Sequence, residues 1–277
     1  MLKSIRTRDA AAAVLIGALL VVLIDFETRS VAVARYTLEV EGLPPAFKGF
    51  TILHLSDLHS KRYGAEQAGL TRLISAQDFD AVVMTGDFID RNNPDPAPTR
   101  EILRTFDHKP IYFVPGNHEL HTGFRLRDEF PALGVTDLTN RATPLTLDKE
   151  TLWFIGVNDP FIGRDRLEEA LAGVERRGPQ VLLAHSPGLF KKAQEAGIDL
   201  MLSGHTHAGQ IRLPLIGALY LPGQGFFPKY DHGLFSTGKT RMIISAGLGE
   251  TFLRFRFLSR PEIGLIELKP AADPAHI

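Results

Sequence analysis

Five short apolar runs in this chain each end in a small cluster of histidine, aspartate or asparagine. Phe50–Leu55 leads into Asp57-Leu58-His59, Ala81–Met84 into Gly86-Asp87, and Ile111–Val114 into Gly116-Asn117-His118-Glu119. Val181–Ala184 leads into His185, and Leu200–Leu202 into Gly204-His205-Thr206-His207. Continuous apolar runs of this length read as strands buried on both faces. Polar side chains that recur only at the ends of such strands are accommodated where several strand ends converge. Every chelating group in the five clusters offers nitrogen or oxygen and none offers sulfur, which describes a site for one or two divalent metals.

Between the runs the pattern turns helical, near Glu66–Ala76, Thr99–Phe106, Leu126–Phe130, Arg164–Gly173 and Pro187–Ala196, with a further strand at Leu152–Val157. This βα alternation predicts an α/β sandwich whose sheets are covered by helices, and ligands in such sheets bind beyond the carboxyl ends of the strands. Toward the C-terminus the alternation stops, and Met242–Ser245, Phe252–Phe257 and Ile263–Leu268 read as strands joined by turns. Gly42-Leu43-Pro44-Pro45 predicts a turn, and the polar, proline-rich stretch Asn92–Pro98 an exposed loop.

The N-terminus carries a separate signal. Lys3, Arg6 and Arg8 precede an unbroken apolar run from Ala10 to Ile24, which Asp25, Glu27 and Arg29 close. As a helix that run is about 22 Å long at roughly 1.5 Å per residue, short of a hydrocarbon core of about 30 Å. Adding Phe26 and letting Arg8 snorkel narrows the difference. Ala32-Val33-Ala34 has the small residues of a signal cleavage site, but three charged residues separate it from the apolar run, and Val31–Val40 reads as a strand. The expectation is an uncleaved signal anchor, with residues 1–30 as cytoplasmic stub and anchor helix, 31–270 as one catalytic domain outside the cytoplasmic membrane, and 271–277 as a tail. The orientation follows from the positive charge on the N-terminal flank.

Composition narrows the partners. The 277 residues suit one large domain or two small ones, and 44% apolar residues suffice for a full core. A net charge of −1 provides no field favouring nucleic acid. The absence of cysteine removes disulfides, thiolate zinc sites and cysteine nucleophiles.

Asp57 and His59, spaced i and i+2, can reach one ion if the chain stays extended, and His205 and His207 repeat the spacing. Asp87 has two oxygens with which to bridge two cations; Asn117 offers a neutral carbonyl, and His185 another imidazole. Taken in order, Asp57-x-His59, Gly86-Asp87-x-x-Asp90, Gly116-Asn117-His118-Glu119, His185 and Gly204-His205-x-His207 resemble the motif series of the calcineurin-like metallophosphoesterases. The resemblance covers about Phe50 to Leu268. Ser203–Pro214 and Gly247–Glu262 also resemble the bacterial membrane-anchored phosphodiesterase branch of that family.

The resemblance implies a four-layer αββα sandwich with a metal site at the carboxyl ends of its strands. It implies that Asp57, His59 and His207 hold one metal, that Asn117, His185 and His205 hold a second, and that Asp87 bridges them together with a hydroxide. His118 would face the substrate phosphate and protonate the leaving oxygen or stabilise its charge, with Asp90 orienting that histidine. Two divalent metals are expected, manganese ahead of iron or zinc. The expected reaction is hydrolysis of a phosphodiester or pyrophosphate by a monomer. A phospholipid or glycolipid substrate of the UDP-2,3-diacylglucosamine type is one candidate, although a nucleotide-linked substrate is cytoplasmic and the expected site is not. A phosphomonoesterase or protein phosphatase uses the same core, and a non-catalytic scaffold is the remaining rival; scaffolds of this kind lose ligands or the histidine, and here all are present.

Other residues read more plainly. His54 alternates with the site residues inside a strand and is expected to be structural, as is Glu119. His108, His232 and His276 read as surface residues. His118-Glu119-Leu120-His121 falls one residue short of the helical zinc-protease motif. Lys61, Arg62 and Arg212 stand close enough in sequence to approach a phosphate, with surface charge as the plainer reading. Leu213–Pro228 is apolar, contains no charged residue and begins just after His207, so it reads either as a hairpin packed on the core or as a lip touching a bilayer.

Overall fold

Apolar alternation within the strands builds two sheets around a shared interior. The computed structural model describes residues 2–106, 108–122, 125–175, 178–251 and 253–271. After a long helix α1 (Leu2–Arg29) come β1 (Ala32–Val40), β2 (Thr51–Leu55), β3 (Ala81–Met84), β4 (Ile111–Phe113) and β5 (Val135–Asp137). Next are β6 (Arg141–Leu147), β7 (Glu150–Gly156), β8 (Gln180–Leu183) and β9 (Leu200–Ser203). Four two-residue strands follow, β10 (Arg212–Leu213), β11 (Gly217–Ala218), β12 (Tyr220–Leu221) and β13 (Gly225–Phe226). The chain closes with β14 (Gly233–Thr237), β15 (Thr240–Ile244) and β16 (Glu262–Pro270). The shorter helices are α2 (Ala68–Ser75), α3 (Ala97–Leu103), α4 (Asn117–Thr122), α5 (Leu167–Leu171) and α6 (Phe190–Glu195).

One six-stranded sheet has the order β1-β16-β2-β3-β4-β5 and the other β14-β15-β9-β8-β7-β6. β2, β3, β4 and β5 run parallel, as do β7, β8, β9 and β15. Ile52, Val83 and Tyr112 of the first sheet meet Phe154, Val181 and Leu202 of the second in one interior cluster. Tyr112 and Phe154 stack with ring centroids 4.1 Å apart. The alternate residues Leu53, Val82 and Phe113 point the other way, into a cluster with Leu70 and Ile74 of α2 and Ile102 of α3. Leu182, Met201 and Met242 do the same on the second sheet, against Leu167 of α5 and Phe190 of α6. The result is a mixed α/β sandwich of four layers, with two faces of every central strand buried.

Several sequence expectations are corrected. The stretch read as a strand over Phe252–Phe257 is a bent segment whose β contact is an isolated bridge from Phe257 to Ile211, and Phe252 itself lies outside the described residues. Its backbone follows the 210–212 segment and a buried arginine instead of a sheet. The helix expected near Leu126–Phe130 is a 3₁₀ helix over Arg125–Leu133, with Pro131 inside it, where proline cannot donate to a regular α ladder. β5 and β6 were not expected: β5 is only three residues long, and β6 is a half-exposed edge strand with a proline in it. The tail beyond residue 271, including His276, lies outside the described residues.

α1 extends past its apolar run. The stretch Arg8–Arg29, 22 residues, is long and apolar enough to cross a membrane, and at 1.5 Å per residue it rises about 33 Å. Its last turn is bound to the domain: Glu27 accepts the Ser259 N–H at 3.1 Å, and the Thr28 hydroxyl accepts the Arg256 N–H at 3.0 Å. The Arg260 guanidinium donates to Ser30 and lies over the Phe26 ring.

Candidate metal centre

The five polar clusters occupy loops at the carboxyl ends of β2, β3, β4, β8 and β9, three strands from one sheet and two from the other. Asp57, His59, Asp87, Asn117, His118, His185 and His207 are buried, and His205 is partly so. The structure brings them into three groups of mutually close ligand atoms: Asp57, His59 and His207; Asp87, His185 and His205; and His59, Asp90 and His118.

The extended backbone expected from the i, i+2 spacing is absent. Asp57, His59, Asp87, His205 and His207 all have positive φ, between 48° and 70°. Left-handed backbone at non-glycine residues is uncommon and is retained where surrounding structure enforces it, often at functional sites. It turns successive side chains apart, so His205 and His207 face different groups. Close packing of the loops requires glycine at two positions. Gly86 has φ +88°, and a Cβ there would lie 2.3 Å from Gly116 N; a Cβ on Gly204 would lie 2.1 Å from Asp57 Oδ2.

In the first group, His59 Nε2 and His207 Nε2 are 3.1 Å apart, and His207 Nε2 is 3.4 Å from Asp57 Oδ1. His207 Nδ1 faces Gly249 O at 3.2 Å, which fixes the proton on Nδ1 and leaves Nε2 bare. In the second, His205 Nδ1 lies 3.1 Å from His185 Nε2, and the His185 Nδ1–H donates to Thr85 O at 2.7 Å. Each bare nitrogen therefore faces another ring nitrogen about 3 Å away, a spacing that suits two ligands of one cation about 2.0–2.1 Å from each. The Asn117 side-chain oxygen is buried without a hydrogen-bond partner, as is His59 Nδ1. The donor set therefore fits divalent metal ions.

Asp87 stands between the groups. Its Oδ1 accepts the His118 N–H at 2.9 Å, while Oδ2 is 3.2 Å from His185 Nε2, 3.8 Å from His59 Nε2 and 3.9 Å from His118 Nε2. Burial opposes ionisation of Asp87, but His185, His59 and His118 outweigh it and hold the carboxyl well below the usual range. Asp57 behaves alike, with burial overcome by His207, His59 and His185. It also accepts the Ser56 hydroxyl at 2.5 Å and the His205 N–H at 3.0 Å.

His118 is oriented differently from expectation. Its Nδ1 accepts the Arg91 N–H at 3.0 Å, whereas Asp90 Oδ1 accepts the N–H groups of Asn92 and Asn93. Asp90 thus acts on His118 through charge, and a backbone amide sets the ring. Burial lowers the His118 pKa, and Asp87 and Asp90 partly offset that.

The three basic residues considered for phosphate contact are engaged elsewhere. Lys61 pairs with Glu250 and donates to Thr28 O at 2.7 Å; Arg62 pairs with Glu101 and Asp95; Arg212 pairs with Asp231. His54 is buried, with Nε2 2.8 Å from the Thr85 hydroxyl. Glu119 accepts four backbone N–H groups, from Asp87, Phe88, Ile89 and Gly116.

Sequence reasoning missed Arg256 and Phe161. Arg256 is fully buried, and its guanidinium donates to the carbonyls of Ala246, Gly249 and Ser259, so it holds the loop whose Gly249 carbonyl orients His207. Phe161 packs on His205 with ring centroids 4.6 Å apart. An arginine alternating with phenylalanines reads as the polar face of a strand, and a phenylalanine after a proline gives no sequence signal of its role.

Paired imidazole and carboxylate groups from both sheets, sharing one aspartate, define a hydrolytic metal centre of the kind that acts on phosphoric esters. A family model described as calcineurin-like phosphoesterase matches residues 50–209, and the chain belongs to that family of metal-dependent phosphoesterases. It is 32% identical over 257 residues to the uncharacterized metallophosphoesterase YkuE of Bacillus subtilis, covering 88% of this chain and 87% of that one. It is 28% identical over 227 residues to the phosphodiesterase YaeI of Escherichia coli, covering 79% and 82%. A Bos taurus transmembrane protein with a metallophosphoesterase domain is 31% identical over 271 residues, covering 87% of this chain but 57% of that longer protein.

Proposed function

We propose that this chain is a phosphodiesterase, anchored in the cytoplasmic membrane by α1, that works with two divalent cations, manganese ahead of iron or zinc. The observation that carries the reading is the position of Asp87 Oδ2, 3.8 Å from His59 Nε2 and 3.2 Å from His185 Nε2, so that one carboxylate oxygen serves both side-chain groups. In this reading Asp57, His59 and His207 hold one cation, Asn117, His185 and His205 the other, and Asp87 both. Cations held there would supply a water-derived nucleophile at neutral pH and charge to neutralise the phosphate. His118 acts on the leaving group. With Nδ1 accepting a backbone N–H, the neutral ring carries its proton on Nε2, on the side of Asp87. That N–H donates a hydrogen bond where charge grows on the departing oxygen.

The YaeI likeness supports a diester over a monoester. Residues 31–270 form the catalytic unit, and the basic N-terminal flank puts it outside the cytoplasm. Within the diester class we favour a lipid-linked phosphodiester or pyrophosphate, because the helix keeps the site near a bilayer; a nucleotide-linked lipid such as UDP-2,3-diacylglucosamine would require the opposite orientation. The test compares bis(p-nitrophenyl) phosphate with p-nitrophenyl phosphate, using the full chain in detergent with Mn²⁺. The diester should turn over faster, and His118→Ala should lower its rate about a hundredfold or more, as loss of one charge-stabilising donor does. A faster monoester would make the protein a phosphomonoesterase. Turnover of neither by metal-loaded protein would make it a scaffold.

A further inference from the structure

The segment after His207 forms two short hairpins, β10–β11 and β12–β13, that leave the domain surface. Ala218 and Leu221 anchor them by packing inward, but Leu215 (108% exposed), Phe226 (75%) and Phe227 (67%) face outward. No residue from 213 to 228 is charged. A contiguous exposed apolar surface of this kind marks an interaction site.

Two lines of contact say what covers it. Toward α1, the Arg212 N–H donates to Phe257 O at 3.0 Å, the Phe257 N–H donates to Gln210 O at 2.8 Å, and Arg256 N–H donates to Thr28 of α1. The hairpins are thus one short segment away from the end of a helix able to cross a membrane, and that segment exposes Phe255 and Leu258 in between. Toward the metal centre, a Cβ on Gly223, in the β12–β13 turn, would lie 3.1 Å from the Phe161 ring, and Phe161 packs on His205.

We propose that the two hairpins are a lip that inserts its apolar tips into the bilayer holding α1, and that the substrate's lipid portion passes over this lip to bring its phosphate to the centre. The proposal rests on the phosphodiesterase reading for its substrate but not for its membrane contact. Aromatic and aliphatic side chains at an interface bind by burying apolar area, and an uncharged segment incurs no cost of burying charge. The lip also gives Phe161 a task, as an apolar wall between the lip and His205.

The test uses the full chain in nanodiscs containing brominated phosphatidylcholine. Tryptophan emission from a Leu215→Trp variant in which the native Trp153 is replaced by Phe, as in the control, should be strongly quenched. A Leu147→Trp variant is the control: Leu147 is also exposed but sits at the turn before β7, at the amino ends of the strands and away from the centre. Emission from Leu215→Trp as unaffected as the control would overturn the proposal, and concentration-dependent pairing of chains through this face would assign it to a second copy. The Phe226→Ser/Phe227→Ser variant should lose about tenfold or more in turnover of hexadecyl p-nitrophenyl phosphate in nanodiscs relative to bis(p-nitrophenyl) phosphate. Equal loss on both esters would overturn the entry route. Strong quenching in a protein that cleaves neither ester would support the membrane contact while overturning the phosphodiesterase reading.

Discussion

Glu119 stands two residues after Asn117 and has the bonds of a brace. Its Oε2 accepts from Asp87 N and Gly116 N at 2.8 Å each, and its Oε1 from Phe88 N at 2.6 Å and Ile89 N at 3.3 Å, which ties together two loops of the centre. Burial and then Asp87 push its carboxyl up to about 7, against the pull of those amides. Glu119→Gln turns an amide nitrogen toward two of the donors, and each buried donor left unpaired costs about 1–3 kcal/mol. The variant should unfold at clearly lower denaturant even when stripped of metal. His54 gives a pH test of the same interior. Burial, only partly offset by Glu262 and Asp57, lowers its pKa to about 4. Unfolded histidine titrates near 6.5, so between pH 6.5 and 4 the unfolded chain takes up the proton first and stability falls as pH falls. The difference amounts to about 3 kcal/mol at roughly 1.36 kcal/mol per pH unit. Urea unfolding of metal-free protein across that window should show the loss, and His54→Gln should make it smaller. At this scale the convergence of these polar residues was legible, because polar ligand types stand out at the ends of apolar strands. Their grouping was legible only through the family resemblance, not from spacing: the left-handed backbone at His205 and His207 sends neighbours to different groups, and the meeting of two sheets decides that.

At the scale of elements, apolar periodicity located the central strands to within a residue or two and overextended the helices. α3 ends at Leu103 and α6 starts at Phe190 because one 3₁₀ turn or one bend completes each crossover. The two-residue strands of the lip have too few positions for a period to register. The segment from Ala246 to Ser259 was hardest to read, since Arg256 rather than a sheet organises it. That arginine donates to Gly249 O at 2.5 Å, and the same carbonyl accepts from His207. Arg256→Met keeps bulk but frees the loop. Loss of a group that orients a metal ligand commonly weakens metal binding 10–100-fold, and calorimetric titration of Mn²⁺ into the variant should show a drop of that order. Unchanged affinity would restrict Arg256 to stabilising the fold.

Across the whole molecule, sequence separated an apolar helix from a catalytic unit at residue 30, whereas the structure joins them. Glu27, Thr28 and Ser30 bond to residues 256–260, so the last turn of α1 supports the loop beside His207. Contacts spanning more than two hundred residues carry no local pattern, which is why the sequence showed only a boundary there. The same long-range joining links the β10–β13 hairpins to the helix end through residues 256 and 257. A centre that holds two cations through Asp87 underlies the proposed chemistry. Electron paramagnetic resonance of metal-stripped full chain titrated with Mn²⁺ tests this directly. At saturation we expect two ions per chain with an exchange-coupled spectrum that Asp87→Asn uncouples. Saturation at one ion per chain, with the resolved hyperfine lines of an isolated Mn²⁺, would contradict a shared two-cation centre.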